Sequence, residues 1–176
     1  DLPLTLISFK KNQGKGAAVK EGVLAARYDP VLVIDADLTI PIEELGKFLP
    51  ALENADIAIA SRLAPGSVFE ESAPWYRVAL ARGFYVRQML LLGNFEYSDT
   101  QCGFKLFKKE VAHRIFSKLT IKRFAFDAEL LFLAKKMPYF VAVLPVTTKK
   151  DPRNTNVDTL RDPLNMFFAL LKIRYN

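Results

Sequence analysis

Val31-Leu32-Val33-Ile34-Asp35-Ala36-Asp37-Leu38-Thr39 decides how this chain is read, because an apolar run of the kind that forms a buried strand ends in two carboxylates one residue apart. Open α/β sheets bind their ligands at the carboxyl ends of strands. If the segment stays extended, alternate residues point the same way. Asp35 and Asp37 then present hard oxygen ligands to one divalent cation, Mg²⁺ or Mn²⁺, which holds a diphosphate against the sheet. The competing reading makes Asp-Ala-Asp a polar strand end, with Asp37 capping a helix that begins at Pro41-Ile42-Glu43-Glu44-Leu45.

Working outward, four further strand-like runs stand at Leu4 to Phe9, Asp56 to Ala60, Gly103 to Phe107 and Tyr139 to Val146. Helical spacing joins Ala18, Val19, Gly22, Val23 and Ala26, and again Leu45, Phe48, Leu49 and Leu52, where Pro50 should kink or end the helix. Such alternation predicts an α/β fold, a mostly parallel central sheet with helices on both faces. Leu63 to Pro74, with its prolines, glycine and serines, reads as a loop long enough to form a lid.

Between the first predicted strand and helix lies Asn12-Gln13-Gly14-Lys15-Gly16-Ala17. Glycines let backbone approach an anion and a helix start offers free N–H groups, with Lys15 adding charge. The P-loop pattern is excluded, since its first Gly and the Ser/Thr after the Lys are both missing; an ordinary glycine turn is the alternative. Downstream stand Ser98-Asp99-Thr100-Gln101-Cys102-Gly103-Phe104-Lys105-Leu106-Phe107 and Arg123-Phe124-Ala125-Phe126-Asp127-Ala128-Glu129-Leu130-Leu131.

Together with Ser61-Arg62, these motifs resemble the family 2 glycosyltransferases that load polyprenyl phosphates, most closely the dolichyl-phosphate β-glucosyltransferases, from about Leu4 to Tyr175. The resemblance implies a GT-A fold and an inverting transfer of glucose or mannose from UDP-glucose or GDP-mannose to a polyprenyl or dolichyl phosphate at the cytosolic membrane face. It implies Asp35 and Asp37 at the metal and Asn12, Gly14, Lys15 and Gly16 at the nucleotide sugar. Arg62, Arg77 and Arg82 would receive the acceptor phosphate, for which planar guanidinium forks are suited. In Arg77-Val78-Ala79-Leu80-Ala81-Arg82 an alanine stands where the family commonly has serine. Arg153, in Asp151-Pro152-Arg153-Asn154-Thr155-Asn156, falls where the family tends to carry a Gly-Ser-Lys loop over the diphosphate.

Asp99 and Asp127 are the candidate catalytic carboxylates. Asp99 otherwise reads as a turn residue bonded to its own backbone. Asp127 and Glu129, two apart on a helix, cannot share a face, so one is expected in the site while the other caps or faces solvent. His113 reads as a helix-surface residue and Cys102 as a structural small residue. Phe95, Phe104, Phe107, Phe124 and Phe126 either line a lipid path or fill the core.

The family pattern opens with a strand and acidic turn like V-I-P-A-Y-N-E, and nothing like it precedes Asp1. The expectation is a partial domain over residues 1–176 whose open strand edge favours self-association, including a homodimer. Two other functions compete: a sugar nucleotidyltransferase, and a non-catalytic, membrane-peripheral or nucleotide-binding remnant.

Composition sets the bounds. With 51% hydrophobic residues in 176, the chain can bury one core, and the net charge of +6 asks for an anionic partner. From Lys149 onward six basic residues face three acids, ahead of and within an apolar stretch, Met166 to Tyr175, that closes an amphipathic helix expected over about 160–175. It lies on an acidic membrane surface or packs on the core. No run approaches the roughly 20 apolar residues that span a bilayer. No recognised module points to nucleic acid. One cysteine makes no intrachain disulfide, which suits a reducing compartment, and the resemblance implies a cytoplasmic placement, peripheral on the membrane.

Overall fold

The computed structural model describes residues 3–69, 83, 85, 86, 88–93, 97–149 and 161–175, with side chains in the last helix from 166 onward. In chain order these hold α1 (Lys15–Ala25), β1 (Val31–Ile34), a 3₁₀ turn (Ile42–Glu44), α2 (Leu45–Ala51), β2 (Ile57–Ser61), β3 (Val68–Phe69), a helical stretch α3 over residues 88–92, β4 (Phe104–Phe107), α4 (Lys109–Lys118), α5 (Phe126–Lys136), β5 (Val141–Pro145), β6 (Thr147–Thr148) and α6 (Arg161–Tyr175).

The central sheet has the order β1-β4-β2-β5. β2 pairs parallel with β5, while β4 runs antiparallel to both β1 and β2. Three strands therefore share a direction and β4 alone opposes them. Side chains alternate cleanly. Val31, Ile57, Ile59 and Phe107 face a core completed by α1, α4 and α5; Ala58, Ala60, Phe104 and Leu106 face Ile40 and Phe48. Phe48 of α2 meets Phe104 at 4.8 Å between ring centroids. Helices cover both faces, as expected. Phe104, Phe107 and Phe126 are core residues, Phe124 is exposed and Phe95 lies outside the described residues.

Two expectations are corrected. Residues 3–9 form no strand: Leu4 and Leu6 stay exposed, and an extended segment becomes a strand only through a ladder partner, which none of the described residues supplies. Of the predicted loop from Leu63, Val68 and Phe69 instead pair in parallel with Thr147 and Thr148; residues 70–74 lie outside the described residues. Pro50 is accommodated, since α2 ends one residue later. Helix α6 turns Leu170 and Ile173 inward onto Leu92, Ala128 and Phe132, while Phe168, Lys172, Arg174 and Tyr175 remain exposed.

One charged side chain breaks the apolar pattern of the sheet. Lys105, opposite Val33 and Ile59 and 2% exposed, donates to Asp127 Oδ1 of α5 at 2.6 Å and to the Cys102 carbonyl at 2.6 Å. Glu129, also buried, accepts from the Thr120 and Ile121 amides and the Thr120 hydroxyl. The two carboxylates thus diverge as their spacing requires, but neither faces solvent.

The glycines at the start of α1 work by close packing. Gly14 has φ +99°, and a Cβ there would lie 2.5 Å from the Lys122 carbonyl oxygen. A Cβ on Gly16 would lie 2.7 Å from the Ile121 carbonyl oxygen and 2.8 Å from Phe126 Cβ. The Ala17 amide donates to the Lys122 carbonyl at 3.1 Å. Helix α1 is therefore docked on the loop before α5.

Gly16→Ala should destabilise the fold by about 1–3 kcal/mol through overpacking. Gly22→Ala, in the same helix with no atom within 4 Å of the added carbon, should stabilise it by up to about 1 kcal/mol. Urea unfolding of both variants measures the contrast.

Removing the Lys105 ammonium leaves Asp127 buried without its counter-charge, so Lys105→Met should cost about 3–5 kcal/mol at neutral pH. Burial already pushes the Asp127 carboxyl above its usual range against the pull of Lys105. A carboxyl with a raised folded pKa costs nothing below its unfolded value and progressively more as pH rises through the folded one. The deficit should accordingly be small near pH 4, grow toward pH 8, and shrink when Asp127→Asn is added.

Candidate active site

β1 does not continue through Asp35-Ala36-Asp37. The Asp35 amide still extends the ladder, donating to the Gly103 carbonyl at 2.9 Å, but the Leu38 amide then turns back to the Asp35 carbonyl at 3.0 Å and Leu38 takes φ 52°. The two carboxylates are thus related by a tight turn, and the strand alternation expected of them is corrected. Asp37 caps no helix. Its Oδ1 accepts from the Thr39 amide and hydroxyl, both at 3.2 Å, an Asx-type arrangement. Asp35, Asp37, Thr39 and Gly103 line one open depression at the end of β1.

Lys15, on the first turn of α1, reaches this depression and places Nζ 2.7 Å from Asp35 Oδ1, both side chains about 30% exposed. The Gly14 and Gly16 positions on either side face residues 121–126. The Asn12 carboxamide accepts from the Gly14 amide at 2.9 Å, which fixes the entry into the helix. The glycine-lysine motif therefore divides its work: Lys15 goes to Asp35, and its neighbours hold the helix that presents it.

Arg62 follows directly from β2. Its Nε donates to Asp99 Oδ2 at 2.8 Å, its Nη2 to Asp99 Oδ1 at 2.8 Å and its backbone amide to Oδ2 at 2.9 Å. Asp99 is 8% exposed, and both its oxygens are occupied. Burial pushes its carboxyl up, but the Arg62 hydrogen bonds and charge outweigh burial and hold it below the usual carboxylate range. The Arg62 guanidinium is raised in turn, chiefly by the hydrogen bond to Asp99, with a smaller contribution from the charge of Asp35. Next in the turn, the Thr100 hydroxyl donates to the Gln88 carboxamide of α3 at 2.9 Å, tying the segment down.

Asp127 lies beneath this surface, close enough to Asp35 and Lys15 to feel both charges. Burial pushes the neighbouring Cys102 thiol up to about 12, so it stays protonated. Arg77, Arg82 and Arg153 lie outside the described residues. Lys105 was invisible as a partner of Asp127 because the two are separated by 22 positions; a lone lysine in an otherwise apolar strand was the available signal.

Two carboxylates with Oδ2 atoms unbonded among the described residues fit a hard divalent cation whose remaining ligands come from a diphosphate or water. No cluster of three or more His, Cys, Asp or Glu side chains able to hold a metal alone occurs among the described residues.

Comparison with known proteins agrees with this architecture. The family model described as glycosyl transferase family 2 matches residues 1–116. The dolichyl-phosphate β-glucosyltransferase of Dictyostelium discoideum is 33% identical over 183 residues, which cover 96% of this chain and 55% of that protein. Its Mus musculus namesake is 39% identical over 150 residues, 80% of this chain and 45% of that one. This chain thus spans about half the length of these relatives. Among solved structures, glucosyl-3-phosphoglycerate synthase of Mycobacterium tuberculosis, in complex with Mn²⁺, UDP-glucose and glycerol 3-phosphate, superposes with a TM-score of 0.63 at 19% identity, over 92% of this chain and 55% of that one. Mannosyl-3-phosphoglycerate synthase of Rubrobacter xylanophilus gives 0.59 at 20% identity, over 92% and 50%. The fold is GT-A, and with most of its length matched by the family model, this chain belongs to glycosyl transferase family 2.

Proposed function

We propose that this chain carries the donor and acceptor-phosphate site of an enzyme that transfers glucose from UDP-glucose to dolichyl phosphate or a similar polyprenyl phosphate. The observation that carries the reading is the pairing, within one charged surface, of the Asp35–Asp37 turn beside Lys15 with an Arg62 guanidinium locked by Asp99. The sugar and lipid come from the names of the relatives, and UDP-glucose from a neighbour that binds it. GDP-mannose is the donor to test against it.

A glycosyl transfer must neutralise the leaving diphosphate and hold the acceptor in line. Asp37, with Asp35, would hold Mg²⁺ or Mn²⁺, which when bound supplies charge neutralisation of the diphosphate. Lys15 adds a cation on the same side, with Asn12, Gly14 and Gly16 presenting it. The acceptor phosphate is already anionic, so it needs positioning more than proton removal. Arg62 meets that need, with Arg77 and Arg82 proposed beside it and Arg153 proposed over the donor. In this scheme attack from the face opposite the leaving diphosphate inverts the sugar carbon. Asp99 serves as the positioning residue for Arg62, and Asp127, tied to Lys105, supports the floor.

No helix among the described residues is long and apolar enough to cross a membrane. The exposed side of α6, with Phe168, Lys172, Arg174 and Tyr175, is the surface we assign to the cytosolic face of the bilayer.

Asp37→Ala should abolish divalent-metal-dependent donor binding with little loss of stability, because the side chain is partly exposed and both its hydrogen bonds are local, to Thr39. Calorimetry with UDP-glucose and with GDP-mannose, each with and without Mn²⁺, tests this; equal affinity in parent and variant would overturn the metal assignment.

Each basic residue near an acidic bilayer contributes about 1 kcal/mol, so replacing Lys172 and Arg174 by Gln should weaken binding to phosphatidylserine vesicles more than about tenfold at modest salt. Arg62→Ala should leave vesicle binding intact and stop transfer to dolichyl phosphate. Transfer to a soluble sugar with dolichyl phosphate ignored would defeat the lipid-acceptor reading.

A further inference from the structure

Gly103 stands directly across the ladder from Asp35, one step beyond the Ile34↔Phe104 pair that ends β1 and β4. Its φ is outside the left-handed region, so no backbone demand calls for glycine there. Space does. A Cβ at position 103 would lie 2.0 Å from Asp35 Oδ2 and 2.1 Å from Asp35 Cγ, far inside any non-bonded contact. The carboxylate of Asp35 is thus folded over its cross-strand neighbour, filling the volume that every other side chain would need. Oδ1 goes to Lys15 and Oδ2 rests over bare backbone, at the rim of the depression that Gly103 and Asp37 share.

We propose that Gly103 is a positioning residue for Asp35: its missing side chain is the socket that holds the carboxylate between Lys15 and the donor site. A larger residue evicts the carboxylate by rotation about the Asp35 side-chain bonds, with the strands left paired, because the clash falls on a side-chain tip. The consequence for donor binding rests on the function proposed above; the consequence for the position of Asp35 does not.

The test is Gly103→Ala, read first by its crystal structure. The Asp35 carboxylate should be rotated out of contact with Lys15; a carboxylate still on Lys15 beside the added methyl group overturns the proposal. Calorimetry with UDP-glucose and Mn²⁺ should then show affinity reduced about 10–100-fold, the usual effect of disturbing the support of a metal ligand. Asp35→Ala should show the same loss, and the double variant no more than Asp35→Ala alone. Additive losses would mean that Gly103 acts elsewhere and would overturn the assignment. If the parent binds no donor at all, the function proposed above fails and the crystal structure alone decides the role of Gly103. Should Gly103→Ala not fold, adding Asp35→Gly is expected to restore folding; failure to do so also overturns the proposal.

Discussion

The buried Lys105–Asp127 ion pair is the constraint on which this architecture turns. An ammonium and a carboxylate withdrawn from water are costly unless each is fully coordinated. Here one ammonium joins the centre of the sheet, the first turn of α5 and the carbonyl of Cys102. Hydrophobic contact tolerates small slips between layers, whereas a buried 2.6 Å ionic contact does not. The turn from Thr100 to Gly103 is consequently set against α5, and Gly103 in turn sets the Asp35 carboxylate.

A second level of order follows on the surface above. Charges there alternate: Lys15 beside Asp35, Asp99 around Arg62. A guanidinium held at two nitrogens and backed by its own backbone amide has lost its rotamer freedom before any phosphate arrives, which lowers the entropic cost of binding. The Asp35–Lys15 contact is about 30% exposed and has no third partner among the described residues, so in the proposed function it re-forms around an incoming anion. One pair is fixed and the other exchangeable, a division that in the proposed function suits an acceptor to be aimed and a donor whose product must leave.

The fold class, most of its strands and the clustering of charge at the end of β1 were legible because they rest on local patterns. Val31–Ile34 and Phe104–Phe107 are runs with clear ends, and α1 begins at the glycine-lysine motif where the sequence places a helix start. Residues 3–9 misled because an apolar run states only that a segment prefers burial, and the partner it needs is a property of the rest of the sheet. The turn at Asp35–Leu38 was missed since Asp-Ala-Asp carries no glycine or proline to announce it. Lys105 and Gly103 act through partners 22 and 68 positions away, Asp127 and Asp35, and no spacing rule reaches that far. Asp99 illustrates the same limit: a turn aspartate is expected to bond its own backbone, yet it serves an arginine 37 residues earlier.

The segment from Asp99 to Phe107 holds three such anchors in nine residues: Asp99 on Arg62, Gly103 against Asp35, and Lys105 on Asp127. Strand β4 alternates its faces with a period of two, so a single inserted or deleted residue would swing the ammonium toward Phe48 and bring Phe104 or Leu106 against the buried carboxylate. This stretch is locked in length more strictly than in composition. Variation in it should accumulate as exchanges of one side chain for another, while gains and losses of residues are displaced to the loops on either side.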